Sequence, residues 1–206
     1  MKKTAIIYTS KYGSAERYAQ WLAEETGADL YRSDVQTEAL ADYERIVFGG
    51  GIHAGGIEGI AKYRKIFKAM PEKEYAAFAV GLNLGDAERR ECREINFRKA
   101  MTDIPCFFLR GAYDPEKVKG FDKSLMKFVK KAISKKPEHE RTREEGELLD
   151  AIINGADYVD RSSLVPLAEA LKSDEPVPLN NYGQDYDGAL AEAIERLAKK
   201  KKDREE

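Results

Sequence analysis

Apolar residues gather in three short unbroken runs, residues 4–8, 46–48 and 76–80, each of which leads into a polar or glycine-containing loop. A strand buried on both faces of a parallel sheet has this character, because neither face meets water. Between the first two runs the period changes. Over residues 15–25, Tyr18, Ala19, Leu22 and Ala23 fall on one helical face, Glu16, Arg17, Gln20 and Glu24 face away, and Gly27 supplies a stop. Residues 29–32 form a weaker second strand. Further helices are expected over residues 57–69, ended by Pro71, and over residues 88–101, and a fifth strand over residues 106–109 after Pro105. Strands alternating with helices over the first 110 residues predict an α/β fold with a doubly wound parallel sheet.

Beyond Arg110 the pattern predicts helices and connectors without a strand. Residues 121–134 are amphipathic: Leu125, Met126, Phe128, Val129, Ala132 and Ile133 mark an apolar side. Lys119, Lys123, Lys127, Lys130, Lys131, Lys135 and Lys136 crowd the remainder and make this the most basic stretch of the chain. Residues 141–153 and 163–171 read as two more helices separated by a turn at Gly155. Pro176 and Pro178 open a polar linker, and a last helix over residues 188–198 runs into lysines 199–202. The expected organisation is one domain over residues 1–172, carrying a basic helical insertion at 114–140, followed by a linker and C-terminal helix over 173–206.

The chain has 206 residues, 42% hydrophobic and 35% charged, with a formal net charge of −2. This excludes a nucleic-acid-binding polycation, and no nucleic acid is expected as a partner. Cys92 and Cys106 are too few for a disulfide framework and, with His53 and His139, lack the spacing of a metal site, so no metal is expected. The apolar run after Lys2 and Lys3 is too short for a signal peptide, and no segment reaches the ~20 apolar residues of a membrane span. A cytoplasmic protein is expected.

In an open parallel sheet, ligands bind beyond the carboxyl ends of the strands. The first such loop is Thr9, Ser10, Lys11, Tyr12, Gly13 and Ser14, directly before a helix. Hydroxyls, a glycine and free amides at a helix amino end make an anion cradle, to which Lys11 adds charge. The alternative is an ordinary turn with Ser14 as the helix cap. Neither the GxxxxGK[ST] nor the GxGxxG pattern is present, which sets aside nucleoside triphosphates and dinucleotides. After the third strand come Gly49, Gly50, Gly51, Ile52, His53, Ala54, Gly55 and Gly56. So many glycines exceed the needs of a turn and favour close approach of a flat ligand. His53 either contacts such a ring or is an exposed loop histidine. The fourth loop is Gly81, Leu82, Asn83, Leu84, Gly85 and Asp86, where Asn83 offers a donor and an acceptor, or else Asp86 caps the next helix.

These loops, in this order, resemble those of the flavodoxin-like family. The resemblance implies a five-stranded sheet of order 2-1-3-4-5 with helices on both faces, and FMN as cofactor. In that family Ile6 to Ser14 would correspond to the loop holding the phosphate, Phe48 to Gly55 to the inner side of the isoalloxazine, and the fourth loop to its pyrimidine edge. A narrower resemblance, to the group with the oxygen-independent protoporphyrinogen dehydrogenases, is carried by Val80-Gly81-Leu82-Asn83-Leu84, Leu109-Arg110-Gly111-Ala112-Tyr113, and Phe121-Asp122-Lys123 with the basic helix after it. Together these cover most of residues 2–167. The implied cofactor-binding residues are Thr9, Ser10, Lys11, Tyr12, Gly13, Ser14, Gly50, Gly51, Ile52, His53, Ala54, Gly55, Gly81, Leu82, Asn83 and Leu84, with no catalytic side chain identified.

Two departures stand out. Ala15 occupies the position where the family commonly has a phosphate-binding threonine, and residues 52–57 and 82–91 lack the aromatic side chains that sandwich the ring in simple flavodoxins. A flavin would rest on His53, Leu82, Leu84 and backbone with one face open, which suits a substrate or a quinone. The resemblance implies an FMN-dependent oxidoreductase moving hydride or electrons from a reduced substrate such as a porphyrinogen to a quinone or another acceptor. Its lysine-rich helix would meet propionates or an anionic membrane, placing a cytoplasmic protein at the membrane periphery, unless it is simply a solvated helix packed on the sheet. The alternatives are a flavodoxin-type electron carrier and a flavin-binding or flavin-free interaction module.

Overall fold

The computed structural model describes residues 1–179 except Asn83; the expected helix over residues 188–198 and the lysines after it lie outside the described residues. Among the described residues there are eight strands: β1 (Thr4–Thr9), β2 (Asp29–Arg32), β3 (Arg45–His53), β4 (Gly56–Ile57), β5 (Glu74–Gly81), β6 (Cys106–Arg110), β7 (Ala112–Tyr113) and β8 (Ala156–Asp157). Six α-helices accompany them: α1 (Ser14–Thr26), α2 (Ile60–Ala69), α3 (Asp86–Asn96), α4 (Gly120–Ser134), α5 (Arg143–Asn154) and α6 (Val165–Leu171).

The central sheet runs β2-β1-β3-β5-β6, all parallel, with β4 folded back on β3. Apart from that two-residue addition, this is the expected order 2-1-3-4-5. Each strand feeds one core on either face, as the two-residue period requires. On β5, Tyr75, Ala77 and Ala79 join the core under α2 and α3, with Tyr63, Ile66 and Cys92. Ala76, Phe78 and Val80 join the core under α1 and α6, with Tyr18, Leu22 and Leu167. Full burial of a side chain such as Phe78 contributes roughly 1.5–3 kcal/mol.

Four expectations are corrected. The third strand does not end at Phe48 but continues through Gly49, Gly50 and Gly51 to His53, because glycine backbone pairs in a sheet as any other backbone does. The chain then reverses through Ala54 (φ 48°) and Gly55 (φ 77°), a two-residue hairpin turn with both central residues left-handed, before β4 pairs antiparallel with β3. Helix α2 therefore begins at Ile60 rather than residue 57. Beyond Arg110 strands do exist: β7 and β8 pair antiparallel, Ala112 opposite Asp157. Neither signals itself in sequence, since two residues carry no periodicity. The expected apolar side of the basic helix is also divided, with Ile133 buried while Phe128 and Ala132 are exposed.

Candidate functional site

The carboxyl ends of β1, β3 and β5 open on a cavity of about 510 Å³, within the usual range for small-molecule sites. β1 delivers the first loop. There Gly13 (φ 94°) stands as the N-cap of α1 and supplies no side chain to cap it. Arg17 N–H is the first amide to bond back, to Gly13 O at 3.0 Å, so the preceding first-turn amides of Ser14, Ala15 and Glu16 have no intrahelical acceptor. All three residues line the cavity.

Ser14 is thus the first helical residue and not the cap; its Oγ accepts from Ala112 N–H at 3.0 Å and ties the loop to β7. Ser10 Oγ accepts from Gly13 N–H at 3.1 Å and shapes the turn. At the fourth loop Asp86 likewise begins α3 after Gly85, without capping it. The capping alternatives for both loops are therefore absent.

The structure brings eleven of the sixteen sequence-selected residues to the cavity wall: Ser10, Lys11, Tyr12, Gly13 and Ser14 from the first loop, Gly51, Ile52, His53 and Ala54 from the second, and Gly81 and Leu82 from the fourth. Four lie elsewhere. Thr9 Oγ1 is buried without a hydrogen-bond partner behind the wall. Gly50 is a packing position, where a Cβ would come 2.6 Å from Glu58 O, and at Gly55 a Cβ would come 2.8 Å from Ile95 Cδ1. Leu84 is buried in the core under α2 and α3. Asn83 lies outside the described residues.

Sequence reading gave no role to several residues that complete the site. α4 borders the cavity and brings Asp122, Leu125 and Met126 to its wall, preceded by Val118. Lys11 Nζ and Tyr12 OH both donate to Asp122 Oδ2 at 2.6 Å. His53 Nδ1 lies 3.7 Å from the same oxygen, and His53 Nε2 lies 3.6 Å from Glu58 Oε2. Glu58 Oε2 is shielded from solvent and has no hydrogen-bond partner. The sequence signal for Asp122 was only its place in the Phe121-Asp122-Lys123 motif; its partners Lys11 and Tyr12 are 111 and 110 positions away.

Hydrogen bonds from Lys11 and then Tyr12 hold the Asp122 carboxyl below the ordinary aspartate value of 3.8. Asp122 in turn holds the Lys11 ammonium above its usual range. A carboxylate depressed on folding stabilises the folded state above its unfolded value and loses that contribution as pH falls through its folded value. The link between α4 and the first loop is therefore expected to persist at neutral pH and to release only below pH 3.8. Carboxyl-carbon NMR titration of Asp122 checks this; a midpoint at or above 3.8 contradicts it.

The chemistry of this donor set fits an anionic heterocycle. Open amides and Lys11 suit an anion, the unpartnered Glu58 oxygen suits a ligand N–H, and Ile52, Leu82, Leu125 and Met126 supply apolar wall. Among the described residues no His, Cys, Asp and Glu side chains are grouped to hold a metal ion, and no helix is long and apolar enough to cross a membrane.

The chain is a doubly wound α/β protein with its cavity beside the β1–β3 switch point, where open parallel sheets receive their ligands. The sequence matches the flavodoxin domain model over residues 5–140, and the chain belongs to the flavodoxin domain family, which implies a flavin as cofactor. Among solved structures, Trp repressor binding protein from Bacillus subtilis is 15% identical, with a TM-score of 0.41, covering 53% of this chain and 83% of that one. A flavodoxin from the domain Archaea is 15% identical, with a TM-score of 0.37, covering 73% of this chain and 96% of that one. No curated protein matches the sequence.

Proposed function

We propose that the cavity holds FMN and that the chain is an FMN-dependent oxidoreductase of the kind its loops resemble, the protoporphyrinogen dehydrogenases, passing hydride or electrons from a reduced substrate to a quinone or another acceptor. The observation that carries this reading is the convergence, on one cavity, of the uncapped amino end of α1, the second and fourth loops, and the apolar inner side of α4.

FMN, when bound, supplies hydride and electron transfer. The first-turn amides of α1 would hold its phosphate, Lys11 would add charge from its place beside Asp122, and Glu58 would accept from a ring N–H. His53 stands between two carboxylates, from where it would exchange a proton with a substrate. Leu125 and Met126 would exclude water on the substrate side.

The absorption spectrum of the purified protein is expected to show twin flavin bands, and FMN added to stripped protein is expected to lose its fluorescence. Lys11→Ala should weaken FMN at least about tenfold, the value of a charge-assisted bond, while leaving riboflavin, which has no phosphate, nearly unaffected. A colourless protein that quenches no FMN overturns the cofactor. Two well-separated one-electron couples, with no anaerobic porphyrinogen turnover in the presence of a soluble quinone, would make the chain a carrier.

A further inference from the structure

We propose that the outer side of α4 docks the protein on an anionic lipid bilayer. The inner side of this helix is occupied: Asp122 and Met126 face the cavity and Ile133 is buried. At 100° per residue the remaining arc divides into two strips. One carries Phe121, Phe128 and Ala132, all exposed, and the other carries Lys123, Lys127, Lys130 and Lys131, also exposed. Phe121 and Phe128 are 74% and 70% exposed, and no other aromatic is among the large exposed apolar side chains of the described residues. They stand seven residues apart, about 10 Å along the axis, on the same side. Among the described residues none of the four lysines takes part in an ion pair, although Lys117 and Lys136 just outside the helix do.

Two side chains of this size gain nothing from water, and four free ammonium groups beside them are drawn to negative charge. The interface of an anionic bilayer satisfies both, with the rings in the acyl boundary and the lysines at the headgroups. A nucleic acid would engage the lysines and leave the rings in water. Net charge is −2, so the attraction is a property of this helix and not of the whole molecule. Because α4 also walls the cavity, docking would set the cavity beside the bilayer, where lipid-dissolved molecules are concentrated. The inference rests on the helix surface and does not require that FMN be bound.

Cosedimentation of the full chain with vesicles tests it. Phosphatidylcholine vesicles containing phosphatidylglycerol should carry the protein down, phosphatidylcholine alone should not, and added salt should weaken the binding. Exchanging all four lysines for glutamine should lower affinity about fivefold per lysine, and Phe121→Ser with Phe128→Ser should lower it about tenfold per ring. Both variants should keep the wild-type unfolding midpoint, since every altered side chain is exposed. Equal binding to the two vesicle types, binding to neither, or a phenylalanine variant that binds as wild type does would each overturn the proposal. The last would leave lysine attraction alone, and binding to neither would point to a protein or nucleic-acid partner.

Discussion

Replacing Arg45 with methionine is expected to lower the free energy of unfolding by about 3–5 kcal/mol, the usual cost of breaking a buried ion pair from one side. Arg45 is fully buried at the start of β3. Its guanidinium donates to Leu171 O at 2.9 Å, Ser173 O at 3.2 Å and Glu175 O at 3.0 Å, and its Nε lies 3.0 Å from Glu74 Oε1. Methionine fills much of the volume but leaves three carbonyls without a donor and Glu74 without its buried partner. Burial alone would raise the Glu74 carboxyl, but Lys2, the Val177 amide and Arg45 outweigh it and hold it below its usual range. That contribution is present above the unfolded value and fades as acid protonates Glu74, so the difference between wild type and variant should narrow at low pH. Equilibrium urea unfolding across pH measures both. Adding Glu74→Gln to the variant should cost less than the sum of the single changes, because the two residues share one network. A loss below about 1 kcal/mol would mean that the segment after α6 is held by something other than Arg45.

The second large effect is expected at Gly49. A Cβ there would lie 1.9 Å from Phe78 Cζ and within 2.5 Å of two more ring atoms. Gly49 and Phe78 are direct neighbours across β3 and β5, and the ring is completely buried between the sheet and the helices above it. The ring has nowhere to go, so Gly49→Ala should destabilise at the upper end of overpacking penalties, about 3 kcal/mol. Phe78→Leu in the same chain should restore part of the loss, which thermal or urea unfolding of the single and double variants would show. FMN affinity of the folded Gly49→Ala protein should match wild type. A stable variant with impaired FMN binding would instead make Gly49 a ligand position.

That contrast explains what the sequence made legible. Alternating strand and helix periods revealed a doubly wound parallel sheet, since burial on both faces leaves a run of apolar residues that nothing else in the first 110 positions imitates, whereas the order of its strands was implied by the family resemblance. The glycine run was seen but only half understood. Glycine at Gly49 and Gly50 answers a packing demand across the sheet, from Phe78 and from the backbone of Glu58, and a demand of that kind is invisible along one strand. Gly51, the next position, does reach the cavity. Asp122 and the helix that carries it were harder still. Helical periodicity identifies an amphipathic helix but not which neighbour its polar residues meet, and the contacts of Asp122 with Lys11 and Tyr12 close a loop of more than a hundred residues. The same periodicity assigned Phe128 to the inner side, whereas only the packing of α4 shows that the inner arc stops short of it.

Arg45 and His53 are the first and last residues of the nine-residue β3. At about 3.3 Å per residue they are separated by roughly 26 Å, well beyond the ~7–10 Å over which substitutions ordinarily influence one another. The amino end of this strand anchors the chain, and its carboxyl end forms cavity wall. Changes at the two ends therefore combine additively. Ligand preference can drift at one end without drawing on the tether at the other, and stability can be raised at the tether without reshaping the pocket.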